Sequence, residues 1–222
     1  MVSDAAVRAQ ALERLAQSLR SCTHCALAEG RTTVVVGAGD PDADLMFVGE
    51  APGANEDRTG VPFVGQAGKL LDTLLEGIGL TRDHVFIANV LKCRPPGNRD
   101  PLPAEIDACQ GYLAEQVSLI RPRLVCTLGN FATKLISGKP DGISTVHGQV
   151  QQVEFGGVAI TLFPVFHPAA ALYTRTMLGT LQEDFARIPP LIGLKGRSGT
   201  GDAPHSTRAT ADAPATSQMD LF

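Results

Sequence analysis

The sequence predicts an α/β protein built on a mostly parallel sheet with helices over both faces. Two observations carry that reading. Short apolar runs recur at LMFVG (45–49), HVFIANVL (84–91) and RLVCTLG (123–129), as expected of strands buried on both sides. Segments of helical periodicity separate them, and strands alternating with helices imply parallel pairing under two helical layers.

The elements follow in chain order. Val7, Leu12, Leu15 and Leu19 stand at helical spacing, which gives an amphipathic helix over residues 6–19. After the strand 45–49 comes a loop rich in glycine, proline and acidic residues, then a helix from about Ala67 to Glu76. The strand 84–91 leads to a long helix over 103–120, opened by Pro103 and acidic residues. The strand 123–129 enters a helix at Asn130. QVQQVEF and VAITLFPVF flank Gly156 and Gly157 and read as a hairpin whose second arm ends at His167. Another helix covers residues 178–187. Ligands of such sheets bind beyond the carboxyl ends of the strands. The Glu50 loop, Asn89 and His167 stand at three such ends and are expected to converge on one rim.

With 222 residues and 44% hydrophobic content, the chain is one good-sized domain with an appendage. No apolar run is long enough to cross a bilayer, and the N-terminus lacks the charged-then-apolar order of a signal peptide. The expectation is a soluble, cytoplasmic monomer that uses no membrane. A net charge of −4 argues against a surface coated in phosphate-binding groups, but leaves room for one basic face. Composition shifts near residue 195: residues 1–194 form the domain, and 195–222 read as a disordered tail rich in Gly, Ser, Thr, Ala and Pro. There is no internal repeat.

Cys22 and Cys25 are separated by two residues, and Cys93 and Cys109 by 15. In a reducing compartment such sets are usually metal ligands and not disulfides. An iron–sulfur cluster and a tetrahedral zinc ion both take all-cysteine shells, and the unpaired second half of the pattern leans toward the cluster. Cys126, in the apolar run LVCTLG, reads as a core residue.

The loop after LMFVG is GEAPGANEDRTGVPFVGQAGK. Gly60 and Gly65 bracket four residues as in a phosphate-binding loop, but Gln66 stands where lysine is required and no Ser or Thr follows Lys69. Glu50 and Glu56 are candidates for acid–base or water-positioning work, with a solvated acidic loop as the plainer reading. Phe63 is either a core plug or a stacking platform for an aromatic ligand. Asn89 is either a strand-end cap or, with its adjacent donor and acceptor, a reader of a base edge. His167 before Pro168 is a structural histidine or a donor to a developing anion.

GEAPGANED, GVPFVG, the strand-end Asn in IANVLKCRPP, and HPAAAL, in this order, resemble the family 4 uracil-DNA glycosylases over about residues 12–190. The resemblance implies a three-layer α/β/α sandwich around a central, mostly parallel four-stranded sheet. It implies a DNA repair glycosylase that flips uracil out of single- or double-stranded DNA, hydrolyses its N-glycosidic bond and leaves an abasic site. Glu50 and Ala51 would line the uracil pocket, Glu56 would lie near the sugar, Phe63 would stack on the base, Asn89 would read its edge, and His167 would face O2. Cys22, Cys25, Cys93 and Cys109 would hold a [4Fe–4S] cluster. One departure is Ala169, where family members often carry Ser after His-Pro, so a side-chain contact to phosphate or to the histidine loop is missing.

Lys92, just before Cys93, with Arg94 and Arg99 in the loop from Cys93 to Cys109, forms a candidate phosphate-contacting patch. A non-catalytic or electron-transfer iron–sulfur protein would explain the cysteines but not Glu50, Phe63, Asn89 and His167. A covalent uracil-DNA-trapping relative would need a basic, histidine-bearing insert where this chain has CRPPGNRDPLPAEI. At the end of the tail, QMDLF resembles the peptides by which bacterial repair proteins dock on the sliding clamp. Gln218 would hydrogen-bond at the mouth of a groove, with Met219, Leu221 and Phe222 as apolar anchors.

Overall fold

The computed structural model describes residues 4–194; the tail and its QMDLF end lie outside the described residues. Six strands form one sheet: β1 (Ala38–Gly39), β2 (Leu45–Gly49), β3 (Phe86–Asn89), β4 (Leu124–Leu128), β5 (Gln151–Phe155) and β6 (Val158–Val165), in the order β1-β3-β2-β4-β6-β5. The pairs β2/β3, β2/β4 and β4/β6 are parallel. These four strands are the expected parallel core, and two antiparallel edge strands, β1 and β5, extend the sheet to six.

The apolar runs form strands because each is covered on both sides. Every residue of β2, β3 and β4 is buried. Successive side chains point to opposite faces, so Met46 and Val48 join one apolar cluster while Leu45 and Phe47 join the other. The first face is covered by the helices Asp4–Arg20, Pro103–Ile120 and Asn130–Ser137, which contribute Leu12, Leu15, Leu19, Leu113, Val117 and Ile136. The second is covered by Gln66–Gly77 and Arg175–Ala186, through Leu71, Leu75, Leu181 and Phe185. Phe47 stacks on Phe185 at 5.6 Å between ring centroids. Cys126 is fully buried in this second layer. The result is three layers.

Several segments differ from expectation, among them β1 and the strand expected over 84–91, which is Phe86–Asn89. The loop after β2 contains a helix, Ala54–Thr59, closed by Gly60 in the left-handed region at φ 74°; too short to show periodicity, it is invisible to a pattern search. The helix expected over 178–187 runs Arg175–Ala186, beginning earlier than the apolar spacing suggested, and a short helix, Ile188–Leu191, follows it. The Gly156–Gly157 turn has positive φ at both residues (59° and 76°), as a two-residue hairpin loop of this hand requires. Among the described residues no helix is long and apolar enough to cross a membrane.

Candidate active site and thiol cavity

The parallel register fixes the pocket. Gly49 at the end of β2 pairs with Asn89 at the end of β3, and His167 follows β6 by two residues. Beyond these ends lies a cavity of about 360 Å³ whose lining includes Glu50, Ala51, Glu56, Phe63, Asn89 and His167. All six residues singled out in the sequence for this rim therefore meet in one place.

Asn89 is 2% exposed, and its side-chain Oδ1 is buried without a hydrogen-bond partner. An orphaned acceptor of this kind costs about 1–3 kcal/mol unless a ligand donates to it. The space it occupies exists because residue 49 is glycine: a Cβ there would stand 2.4 Å from Asn89 Oδ1 and 2.6 Å from Phe63 Cζ. Phe63 is buried with φ in the left-handed region at 54°. Its ring stacks on His167, centroids 5.6 Å apart.

His167 caps the short helix Pro168–Ala171, and its Nδ1 accepts the Ala169 backbone N–H at 3.1 Å. With Nδ1 used as an acceptor, the neutral ring carries its proton on Nε2. Burial lowers the pKa to about 4, so the imidazole is neutral at pH 7 and can donate one hydrogen bond without bringing a charge. Ala169 thus contacts His167 through its backbone.

Glu56 comes from the short helix that the sequence did not reveal. Its Oε1 accepts the N–H groups of Val64 and Gly65, both at 2.9 Å, so two backbone dipoles hold the carboxylate in place. Its Oε2 lies 2.7 Å from where a Gly53 Cβ would stand, which requires glycine at that position. Glu50 is half-buried; desolvation, and then the charge of Asp100, raise its pKa above the ordinary carboxylate value.

The three basic candidates separate. Lys92 does not face DNA: it is 1% exposed, and its ammonium donates to the Asn89 carbonyl at 2.8 Å and to Gln116 Oε1 at 2.6 Å. Burial lowers its pKa to about 8. Residue type alone suggested a phosphate contact, but the apolar segment VLKC carries the side chain inward. Arg94 is half-buried and donates to Asn98 Oδ1 at 2.7 Å. Arg99 reaches the pocket wall and holds Glu105 through two hydrogen bonds, at 2.9 and 2.6 Å.

The wall also includes residues the sequence did not single out: Gln66, at the start of its helix, Asn98 and Leu172. Asn98 has a positive φ of 56° beside Gly97 in the PPGN turn, the one signal that could have flagged it.

Cys22, Cys25, Cys93 and Cys109 line a second, smaller cavity with Arg31, Lys92 and Tyr112. Arg31 Nη1 lies 3.6 Å from Cys93 Sγ, Tyr112 Oη donates to Cys22 Sγ at 3.3 Å, and the Lys92 backbone N–H donates to Cys109 Sγ at 3.4 Å. Burial pushes the Cys109 thiol up to about 11 and raises that of Cys93. Three separated segments thus bring four thiols and two cationic side chains together. Among the described residues no three His, Cys, Asp or Glu side chains converge on a single ion position.

Residues 36–188 match the family model of the uracil DNA glycosylase superfamily. The chain is 48% identical to a type-4 uracil-DNA glycosylase of Sulfurisphaera tokodaii, covering 81% of this chain and 84% of that protein. It is 44% identical to one of Archaeoglobus fulgidus (84% and 96% covered) and 42% identical to one of Thermotoga maritima (85% and 98% covered).

The depressed pKa of His167 sets a testable pH dependence. The unfolded chain takes up this proton near 6.5 and the folded chain near 4, so the group's contribution to stability is present above the unfolded value and is lost as pH falls between the two. A nitrogen-15 NMR titration of the ring should show the Nε2–H tautomer at neutral pH and a midpoint near 4. A midpoint at the ordinary histidine value would contradict it.

Proposed function

This chain belongs to the uracil DNA glycosylase superfamily, and from that premise we propose that it excises uracil from single- or double-stranded DNA, releasing the free base and leaving an abasic site. The observation that carries the proposal is the buried, partnerless Oδ1 of Asn89, a residue that lines the same cavity as a neutral His167. Uracil presents N3–H and O4 on one edge and O2 on the other. Asn89 accepts from N3–H and donates to O4; cytosine presents the inverse pattern and leaves the amide unsatisfied.

Excision begins with rotation of the nucleotide out of the stack, at a cost of roughly a few kcal/mol. Stacking on Phe63 offsets part of this, at about 1–3 kcal/mol for a base on an aromatic ring. Leu172 lines the pocket mouth and Tyr173 beside it is 92% exposed, apolar surface that can fill the gap left in a duplex. The C1′–N1 bond then breaks with its electron pair leaving on the base. His167 Nε2–H donates toward O2, where the negative charge collects. Glu56, held by two backbone amides, faces the cationic sugar, stabilising it or orienting the water that adds to C1′. The water's proton is released to solvent.

We assign a [4Fe–4S] cluster to Cys22, Cys25, Cys93 and Cys109. The four thiols, brought from three segments to one cavity, supply the all-cysteine shell that such a cluster takes. Arg31 and Lys92 suit the negative charge of a thiolate-bound cluster. Its task is structural: it ties the end of the N-terminal helix to the segment 93–109, which supplies Pro95, Asn98 and Arg99 to the pocket wall. The C-terminal peptide QMDLF docks on the bacterial sliding clamp through Gln218, Leu221 and Phe222, the tail 195–222 acting as a tether that raises the enzyme's local concentration near DNA.

A glycosylase assay on a uracil-containing oligonucleotide tests the activity. His167→Ala should slow bond cleavage about a hundredfold or more with little loss of DNA binding, while Asn89→Ala should weaken uracil capture and admit cytosine. Equal, mild effects in single-turnover assays would contradict these roles. Anaerobically purified protein should be brown from thiolate–iron charge transfer, and Cys93→Ala should lose colour and solubility together; a colourless, zinc-bearing, active preparation would exclude the cluster. A chain ending at Gly201 should keep full activity on short oligonucleotides and lose clamp binding by calorimetry. Equal binding by both chains, or by neither, would remove the docking proposal.

A further inference from the structure

We infer that Arg82 is a positioning residue, whose guanidinium holds Phe63 in the orientation that stacks the base; the inference rests on the uracil reading above. Phe63 adopts a left-handed backbone conformation, φ 54°, which is strained for a residue with a side chain and persists only when its surroundings impose it. Arg82 supplies the imposition. Its Nη1 donates to the Pro62 carbonyl at 2.9 Å, its Nη2 to the Phe63 carbonyl, and its Nε to Asp72 Oδ1 at 2.5 Å. The planar fork has the right geometry to engage two successive carbonyls while a carboxylate fixes its base.

The clamp closes from three sides. Gly68 lets the helix Gln66–Gly77 approach the same carbonyl, since a Cβ there would stand 1.7 Å from the Phe63 oxygen. On the other flank of the turn, the N–H groups of Val64 and Gly65 are bound by Glu56. Carbonyls 62 and 63 are therefore held by Arg82 and amides 64 and 65 by the carboxylate assigned to the sugar. The Phe63 ring in turn packs against His167. Arg82 also opens the short turn Arg82–His84 that feeds β3, the strand ending in Asn89. One side chain thus links the stacking platform to the element carrying the base-reading amide. Neither Arg82 nor Asp72 lines the cavity, so both act through Phe63 and not on the substrate.

A double-mutant cycle tests this, read with an oligonucleotide carrying 2′-fluoro-2′-deoxyuridine. The fluorine withdraws electrons and disfavours the sugar cation, so the base is captured but not released. Arg82→Met, which keeps the stem and removes the donors, should weaken capture about tenfold, close to the loss from Phe63→Ala. In the Phe63→Ala background, Arg82→Met should add nothing, because the group it orients is gone. A merely structural role would lower the melting temperature and leave the two losses multiplicative. Asp72→Asn provides a second variant if Arg82→Met does not fold: it should cause a smaller loss that likewise vanishes without Phe63. Multiplicative losses, or capture as tight as wild type in both Arg82→Met and Asp72→Asn, would overturn the inference. Failure of the wild-type enzyme to release uracil would instead overturn the activity itself.

Discussion

The close approach of β2, β3 and the Phe63 loop at Gly49 is the constraint on which the pocket depends. A single carbon added there would stand 2.4 Å from the Asn89 amide oxygen and 2.6 Å from the Phe63 ring. Because parallel pairing fixes Gly49 opposite Asn89, the sheet itself determines how far the amide stands from the aromatic platform. Phe63 then bears on His167, and the His167 ring is oriented by the Ala169 amide. A flat slot results, with a hydrogen-bonding edge on one side and an imidazole on another. Rigid elements hold each wall, as a site that must discriminate bases requires.

Burial tunes the polar groups around this slot in different directions. It keeps His167 uncharged, so that the ring can donate a hydrogen bond without bringing a charge. It raises Glu50, whereas Glu56 is held in place by two backbone N–H groups. Lys92 is the least expected consequence. Its ammonium lies between the Asn89 carbonyl and Gln116, whose amide donates to the Val36 carbonyl at 2.8 Å, while its backbone N–H reaches Cys109 Sγ. One residue therefore touches both the β3 strand end at Asn89 and the thiol cavity. The segment from Cys93 to Cys109 contributes residues to both cavities: Pro95, Asn98 and Arg99 to one, Cys93, Ala108 and Cys109 to the other.

Legibility in the sequence followed the length and regularity of each signal. LMFVG and the helix Pro103–Ile120 were readable to the residue, because continuous apolar burial and a proline-led start leave little ambiguity. The two-residue strand β1 and the six-residue helix Ala54–Thr59 were not. Such short elements have no period: β1 forms by pairing with β3, and the helix is fixed where Asp57 accepts the amides of Thr32 and Thr33 and Gly60 allows the chain to turn back. Glu56 was chosen as a candidate for its residue type; what immobilises it came from the loop eight and nine residues further on.

Local pattern, then, determined the class of fold, the strand ends that would meet, the thiol set and five candidates of the rim, Glu50, Glu56, Phe63, Asn89 and His167; Ala51 came from the family resemblance. All of these depend on which side chains are apolar, where glycine and proline interrupt, and how far apart like residues stand. Which polar side chain faces in and which faces out was decided only by the tertiary structure. Lys92 and Arg94 are two residues apart and chemically alike, yet the first is buried under Asn89 and the second is half-exposed beside Asn98. The same holds for the protonation of His167, the orphaned oxygen of Asn89 and the strained turn at Phe63. Each arises from desolvation and close packing by segments remote in the chain, and these have no counterpart in the order of residues.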